Sequence, residues 1–255
     1  FTLGTEGTVN TDTRTYVAWN WKANGGTTTT NDASSTGVGS IDSVYQANTT
    51  AGFSIVTYTG TGTAGTIAHG LGAVPKMYIV KNRDASSEWR IYNENLGNDK
   101  TVKLHLTAAS ADSGNWSSTT PTSSVFNVAT GNNVNDSSEK YVAYCFAEVE
   151  GYSKINVYTG NGNADGTFVY TGFRPAFIMF KTTTIVSHWT IVDNARSTYN
   201  VVDDSLYTDT SAAELTTITD VDFLSNGFKW RGVLANETNV SGQVYIYMAF
   251  AEAPF

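Results

Sequence analysis

The stretch YTGTGTAGTIAHGLGAVPKMYIVK, Tyr58 to Lys81, decides between two folds. Its GTGTAG, Gly60 to Gly65, fits the spacing G-x-G-x-x-G of a phosphate-binding loop, and that loop needs a helix directly after it. The chain instead runs on through Gly70-Leu71-Gly72 to Pro75 and the alternating run Lys76 to Lys81, a strand pattern bounded by turn residues. The chain also tests the motif against itself. Tyr158 to Lys181, YTGNGNADGTFVYTGFRPAFIMFK, matches the first stretch at an offset of 100 positions, pairing Tyr58 with Tyr158, Gly60 with Gly160, Pro75 with Pro175 and Lys81 with Lys181. There the spacing becomes GNGNADG, so the nucleotide pattern is lost while its flanks persist. A glycine-rich hairpin turn, with residues at positive φ, accounts for both copies.

The repetition continues outward. SSEWRIYN (Ser86 to Asn93) meets VSHWTIVD (Val186 to Asp193), aligning Trp89 with Trp189, and each copy closes on an aromatic run, YVAYCFAE (Tyr141 to Glu148) and YIYMAFAE (Tyr245 to Glu252). A third such run, YVAWNWKA, stands at Tyr16 to Ala23. The residues before it, Phe1 to Trp19, lie without a gap on Phe126 to Tyr144, pairing Phe1 with Phe126, Val9 with Val134 and Asn10 with Asn135. The expected organisation is therefore residues 1–23 as the tail of a preceding copy, 24–51 as a Thr/Gly/Ser-rich connector holding a short strand, 52–148 as repeat 1 and 151–255 as repeat 2. On this reading the chain belongs to a longer polypeptide. The expected fold is all-β, with antiparallel strands in tandem sandwich-like repeats of about 100 residues, either an array of domains or two halves of one pseudo-symmetric sandwich. The closing runs, apolar at nearly every position, are predicted to be central strands buried on both faces. Residues 1–23 are expected to supply an aromatic strand.

Composition agrees with β structure. Of 255 residues 40% are hydrophobic, 13% aromatic and only 15% charged, with 23 glycines. A net charge of −8 sets the chain against phosphate backbones, so nucleic acid is not an expected partner. No apolar run approaches the roughly 20 residues of a membrane helix, and no membrane insertion is expected. The single cysteine, Cys145, cannot close an internal disulfide. Sequons at Asn48, Asn115, Asn135, Asn236 and Asn239 arise readily in a chain this rich in Asn, Ser and Thr.

Chemistry is sparse in the sequence. His69, His105 and His188 stand far apart, outside any zinc spacing. There is no G-x-S-x-G elbow, and Cys145 aligns with Asn20 and Ala249, which points to packing. Asp203/Asp204 and Asp220/Asp222 read as acidic turns. No catalytic residue is predicted. Asn161, Asn163 and Asp165, oxygens at every second position before Gly166, resemble the first half of a calcium loop; the closing bidentate glutamate is missing, and an Asx-stabilised turn is the competing reading. Of six tryptophans, Trp89 and Trp189 are expected to be structural, as are Pro75 and Pro175. Trp116, in a polar loop, and Trp230, between Lys229 and Arg231, are the candidates for contact with a ligand such as a sugar, with loop anchoring as the alternative.

Taken as a set, GFSIVTYTGTG, HGLGAVPKMYIVKNR, YVAYCFAEVEG, YTGNG, DNARSTYNVVD, FLSNGFKWR and YIYMAFAEAPF resemble a repeat of uncharacterised function in structural proteins of marine tailed phages, often at the C-terminal end of tail-fibre-like polypeptides. The resemblance covers nearly the whole chain and carries no active site with it. It implies a virion location and a non-enzymatic fibre or adhesin role. Capsid decoration, a fibre spacer, or a carbohydrate-binding module of a cell-surface protein are the alternatives. Implied partners are copies of the chain itself, as in a trimer, other virion proteins and a host surface glycan.

Overall fold

The computed structural model describes residues 2–216, 220–234 and 237–253, so Phe1, Asn236 and the terminal Pro254 and Phe255 lie outside the described residues. The first lobe holds β1 (Thr29–Asn31), β2 (Ser43–Asn48), β3 (Phe53–Thr59), β4 (Gly65–Ala68), β5 (Met77–Asn82), β6 (Arg90–Asn93), β7 (Lys100–Lys103), β8 (Ala111–Asp112), β9 (Val125–Val128) and β10 (Lys140–Phe146). The second holds β11 (Ser153–Thr159), β12 (Phe168–Tyr170), β13 (Phe177–Thr182), β14 (Thr190–Asp193), β15 (Ser205–Tyr207), β16 (Val221–Leu224), β17 (Gly227–Trp230) and β18 (Val244–Phe250). An eight-stranded sheet runs β1-β2-β3-β10-β5-β6-β7-β8 and a five-stranded sheet β11-β18-β13-β14-β15. Small sheets, β4-β9 and β12-β17-β16, complete the lobes. The fold is all-β, antiparallel and sandwich-like.

Alternation along the strands stacks these sheets into layers. In β5, Met77 and Ile79 face one way and Tyr78 and Val80 the other. Tyr78 and Val80 join Val56, Tyr141 and Ala143 in a core closed by Ile67 and Phe126 of the β4-β9 sheet. In the second lobe Ile178, Phe180, Tyr245 and Tyr247 pack against Val169, Phe223, Phe228 and Trp230 of the three-stranded sheet. The remaining faces meet each other, because Phe53, Met77, Ile91 and Phe146 share one core with Ile155, Phe177, Met179, Met248 and Phe250. The closing runs are the middle strands, β10 between β3 and β5 and β18 between β11 and β13.

Pairing registers correspond between the lobes. Tyr58 opposes Tyr141 and Tyr158 opposes Tyr245; Met77 opposes Phe146 and Asn93, while Phe177 opposes Phe250 and Asp193. Three expectations need correction. The glycine turn is not a hairpin: β3 and β4 lie in different sheets, as do β11 and β12, so the turn carries the chain from one layer to the next. Residues 24–51 are more than a connector, since β1 and β2 extend the first sheet beyond β3. Tyr16 to Ala23 enters no strand ladder and follows a helical turn at Gly7–Asn10.

Candidate functional site

The glycine turns are held by buried asparagines. Asn135 Oδ1 accepts from Thr61 N–H at 2.8 Å, and its Nδ2 donates to Thr63 O at 2.7 Å and Ala129 O at 3.0 Å. Asn239 does the same in the second lobe, accepting from Asn161 N–H at 3.0 Å and donating to Asn163 O at 2.8 Å. Gly60 and Gly160 are required because an added Cβ would sit 2.1 Å from Asp136 O and 2.2 Å from Val240 O. These backbone amides are spent on protein, leaving no cradle for phosphate. Burial also takes Asn135 and Asn239 away from any glycosylating enzyme. Sequence reading passed over both as turn anchors, although the alignment of Asn10 with Asn135 was the available signal.

The proposed ligand contacts are displaced. Trp116 and Trp230 are both 0% exposed, so neither ring offers a face to a sugar. Trp116 stands edge-on to Tyr78 and donates Nε1–H to Lys100 O at 3.0 Å. Trp230 obeys the alternation of β17, with Phe228 and Trp230 inward and Lys229 at the surface. Trp189 is buried and donates to Lys103 O of the other lobe at 2.9 Å, whereas Trp89 is half-buried and stacks on Tyr144. Pro75 and Pro175 are buried just before β5 and β13.

The calcium candidates are committed elsewhere. Asn161 Oδ1 accepts from Asn163 N–H at 3.0 Å and Asn239 Nδ2 at 2.9 Å, and Asp165 pairs with Lys229 at 2.5 Å. This is the Asx-stabilised turn. Among the described residues no three of His, Cys, Asp and Glu gather into a metal-holding group.

Titratable groups concentrate beside the seam between lobes. Lys181, buried, donates to Thr107 O at 2.9 Å and to Ser187 O, and desolvation lowers its pKa to about 8 against the pull of Asp209. His188 Nδ1 lies 3.0 Å from Asp209 Oδ1, with Tyr207 stacked on the imidazole at 4.1 Å and donating to Glu237 at 2.6 Å. A histidine oriented by a carboxylate can act as a base, but Ser187 Oγ turns back to His188 O. Cys145 lies in the core of the first lobe, its thiol pKa pushed up by burial. The polar seam instead ties Ser187 N–H to Thr107 O and Ser110 N–H to Thr183 O, both at 2.9 Å, and Thr208 Oγ1–H to Leu104 O at 2.7 Å.

A groove borders the N-terminal segment. Its volume is about 830 Å³, and it runs between Arg14, Tyr16 and Val17 on one side and Arg196, Asp204 and Glu214 on the other. Arg196 is held by Asp193 at 2.8 Å and Glu214 at 2.9 Å. Trp19 donates Nε1–H to Asp193 at 3.1 Å, and Trp21 packs edge-on against Phe177 at 5.3 Å, anchoring the segment on the shared core.

Fold and groove define a class: a layered, two-lobed all-β protein with a groove beside its N-terminal segment. The chain belongs to the family described as "Domain of unknown function (DUF7483)", whose model matches residues 1–254. No match is found among curated proteins or among solved structures.

Proposed function

We propose that the chain is a non-enzymatic structural module of a phage virion, a tail-fibre-like part that presents polar loops to the host surface, and that its two lobes are tandem copies of one repeat. The observation that carries this reading is the apolar layer shared by the lobes together with their matching strand registers. Two sandwiches joined through a common core form a stiff unit, which suits a load-bearing or projecting element. In the particle the chain associates with itself, as a trimer in the fibre reading, and with other virion proteins. Exposed loops rich in Thr, Ser and Asn supply hydrogen-bonding groups for a surface glycan. The test is gold-labelled antibody against the chain on purified particles: label at the tail is expected. Label spread over the capsid would replace the fibre role with decoration, and particles without label would overturn the virion reading.

A further inference from the structure

The N-terminal segment reproduces the hydrogen bonds that close a lobe. In the first lobe Val134 and Asn135 N–H both bond to Gly131 O, and Tyr141 OH accepts from Asp136 N–H at 2.8 Å. At an offset of 125 positions, Val9 and Asn10 N–H bond to Glu6 O, and Tyr16 OH accepts from Thr11 N–H at 2.9 Å. In the second lobe Tyr245 OH accepts from Val240 N–H at 3.1 Å. Asn10 Nδ2 donates to Gly4 O at 2.7 Å, the counterpart of Asn135 on Ala129 O. The segment is folded as a closing element.

It is also seated as one. The sixth residues of the three closing runs, Trp21, Phe146 and Phe250, touch one another, with ring centroids 6.2, 5.4 and 6.1 Å apart. Three equivalent side chains meeting at one point describe a pseudo-three-fold arrangement with two lobes in place.

What the third position lacks is specific. Leu3, Val9 and Tyr16 are 44%, 45% and 48% exposed, while their counterparts Val128, Val134 and Tyr141 are each 0% exposed. Asn10 Oδ1 accepts nothing among the described residues, where Asn135 and Asn239 hold a glycine turn. Tyr16 has no stacking partner there, where Tyr58 lies on Tyr141 and Tyr158 on Tyr245 at 5.2 and 4.7 Å. Among the described residues, Tyr16 to Ala23 makes no backbone–backbone hydrogen bond; Lys22 O accepts from Asn48 Nδ2 at 3.0 Å and Ala18 O from Asn20 Nδ2 at 3.3 Å, and the rest of both edges is open.

We propose that residues 3–23 form an interaction surface for a further module of this same repeat, which lays its β3-type and β5-type strands on either side of Tyr16–Ala23 and its Tyr-Thr-Gly-x-Gly turn on Asn10. A second copy of this chain does not fit the role, because its own β3 and β5 already flank β10. This rests on the repeat reading of the two lobes and not on the virion reading.

The test joins a second copy of residues 24–125 ahead of Phe1, completing the third lobe, and monitors amide hydrogen exchange. In the original chain, 16–23 is expected to exchange far faster than 141–146. In the extended chain it should slow about a hundredfold or more, and Asn10→Ala should reverse much of that slowing while leaving the original chain unchanged. Unchanged fast exchange in a folded extended chain would overturn the proposal. If the extension does not fold, the original chain still decides. Slow exchange of 16–23 in its monomer would mean that the strand edges are not open, and slowing on self-association would make a second copy the occupant.

Discussion

Tyr58 and Tyr158 occupy one position in two lobes, yet their hydroxyls fare differently. Tyr58 OH donates to Val134 O at 2.5 Å, whereas Tyr158 OH is buried beside the Trp230 indole N–H, and neither group makes a hydrogen bond of normal geometry among the described residues. Removing a hydroxyl that makes a bond costs about 1 kcal/mol, while removing one that is unsatisfied costs little or stabilises. Tyr58→Phe is therefore expected to lower unfolding free energy by about 1 kcal/mol, and Tyr158→Phe to leave it within about 0.5 kcal/mol; urea titration of the two variants checks both. At this scale the sequence was legible where alternation applies and opaque where direction matters. Phe228, Lys229 and Trp230 alternate, which was enough to place Trp230 inward, but the polar flanks of both Trp116 and Trp230 suggested exposure. Flanking polarity reports on the loop backbone, not on where a large ring points. Asn135 and Asn239 were hidden for a similar reason: an asparagine in an Asn-rich chain gains its meaning from a partner turn some 75 residues away in sequence.

Elements show the same division. The near-continuous apolar closing runs identified the central strands, because only a strand buried on both faces tolerates that pattern. The glycine turn was legible as a turn but not as a crossing between sheets, since positive φ serves both geometries. Gly62 and Gly162, at φ 71° and 72°, illustrate this. The lobes also differ at one edge in a way no pattern announced: β3 is covered by β2, while β11 is an edge strand. That edge is blunted by side chains. Ile155 N–H donates to Glu148 Oε1 at 2.9 Å, Val157 N–H to Asn156 Oδ1 at 2.9 Å, and Lys154 pairs with Glu148 at 3.0 Å. Occupied amides and a charged pair discourage pairing with another chain. Replacing both caps, Glu148→Ala with Asn156→Ala, is expected to increase self-association at unchanged secondary structure, read by light scattering over a concentration series. A double variant that stays as dispersed as the parent would remove this role from the caps.

Across the whole molecule, pH acts on the seam and the cores with opposite signs. Lys181 has a folded pKa of about 8 against an ordinary value of 10.5, so between these the unfolded chain holds more protons and stability rises with pH. Tyr58, Tyr78 and Tyr158 have folded pKa values raised well above 10.0 by burial, so above about pH 10 the unfolded chain loses protons that the fold keeps, and stability falls. Cys145, its thiol pKa also raised by burial, acts with the tyrosines from about pH 9, so the rise due to Lys181 is offset in the total and is read as a difference: the stability of the parent relative to Lys181→Met should increase by about 2 kcal/mol from pH 8 to 10, while both proteins decline above pH 10. The lobes themselves should not come apart one at a time. Phe250 touches Trp21, Phe146, Tyr152 and Phe177, side chains from the N-terminal segment and both lobes. Its truncation opens a cavity in the layer the lobes share, at a cost of about 3–4 kcal/mol. Phe250→Ala should therefore lower the denaturation midpoint of β3 and β10 together with that of β11 and β18, in one transition, when amide exchange is measured through a urea series. Phe228→Ala, confined to the outer core of the second lobe, is the matched control: it should cost as much yet leave the unfolding equally concerted, because the shared layer is intact. Two separated transitions in the parent protein would show instead that each lobe is stable alone and that the apolar layer only docks them.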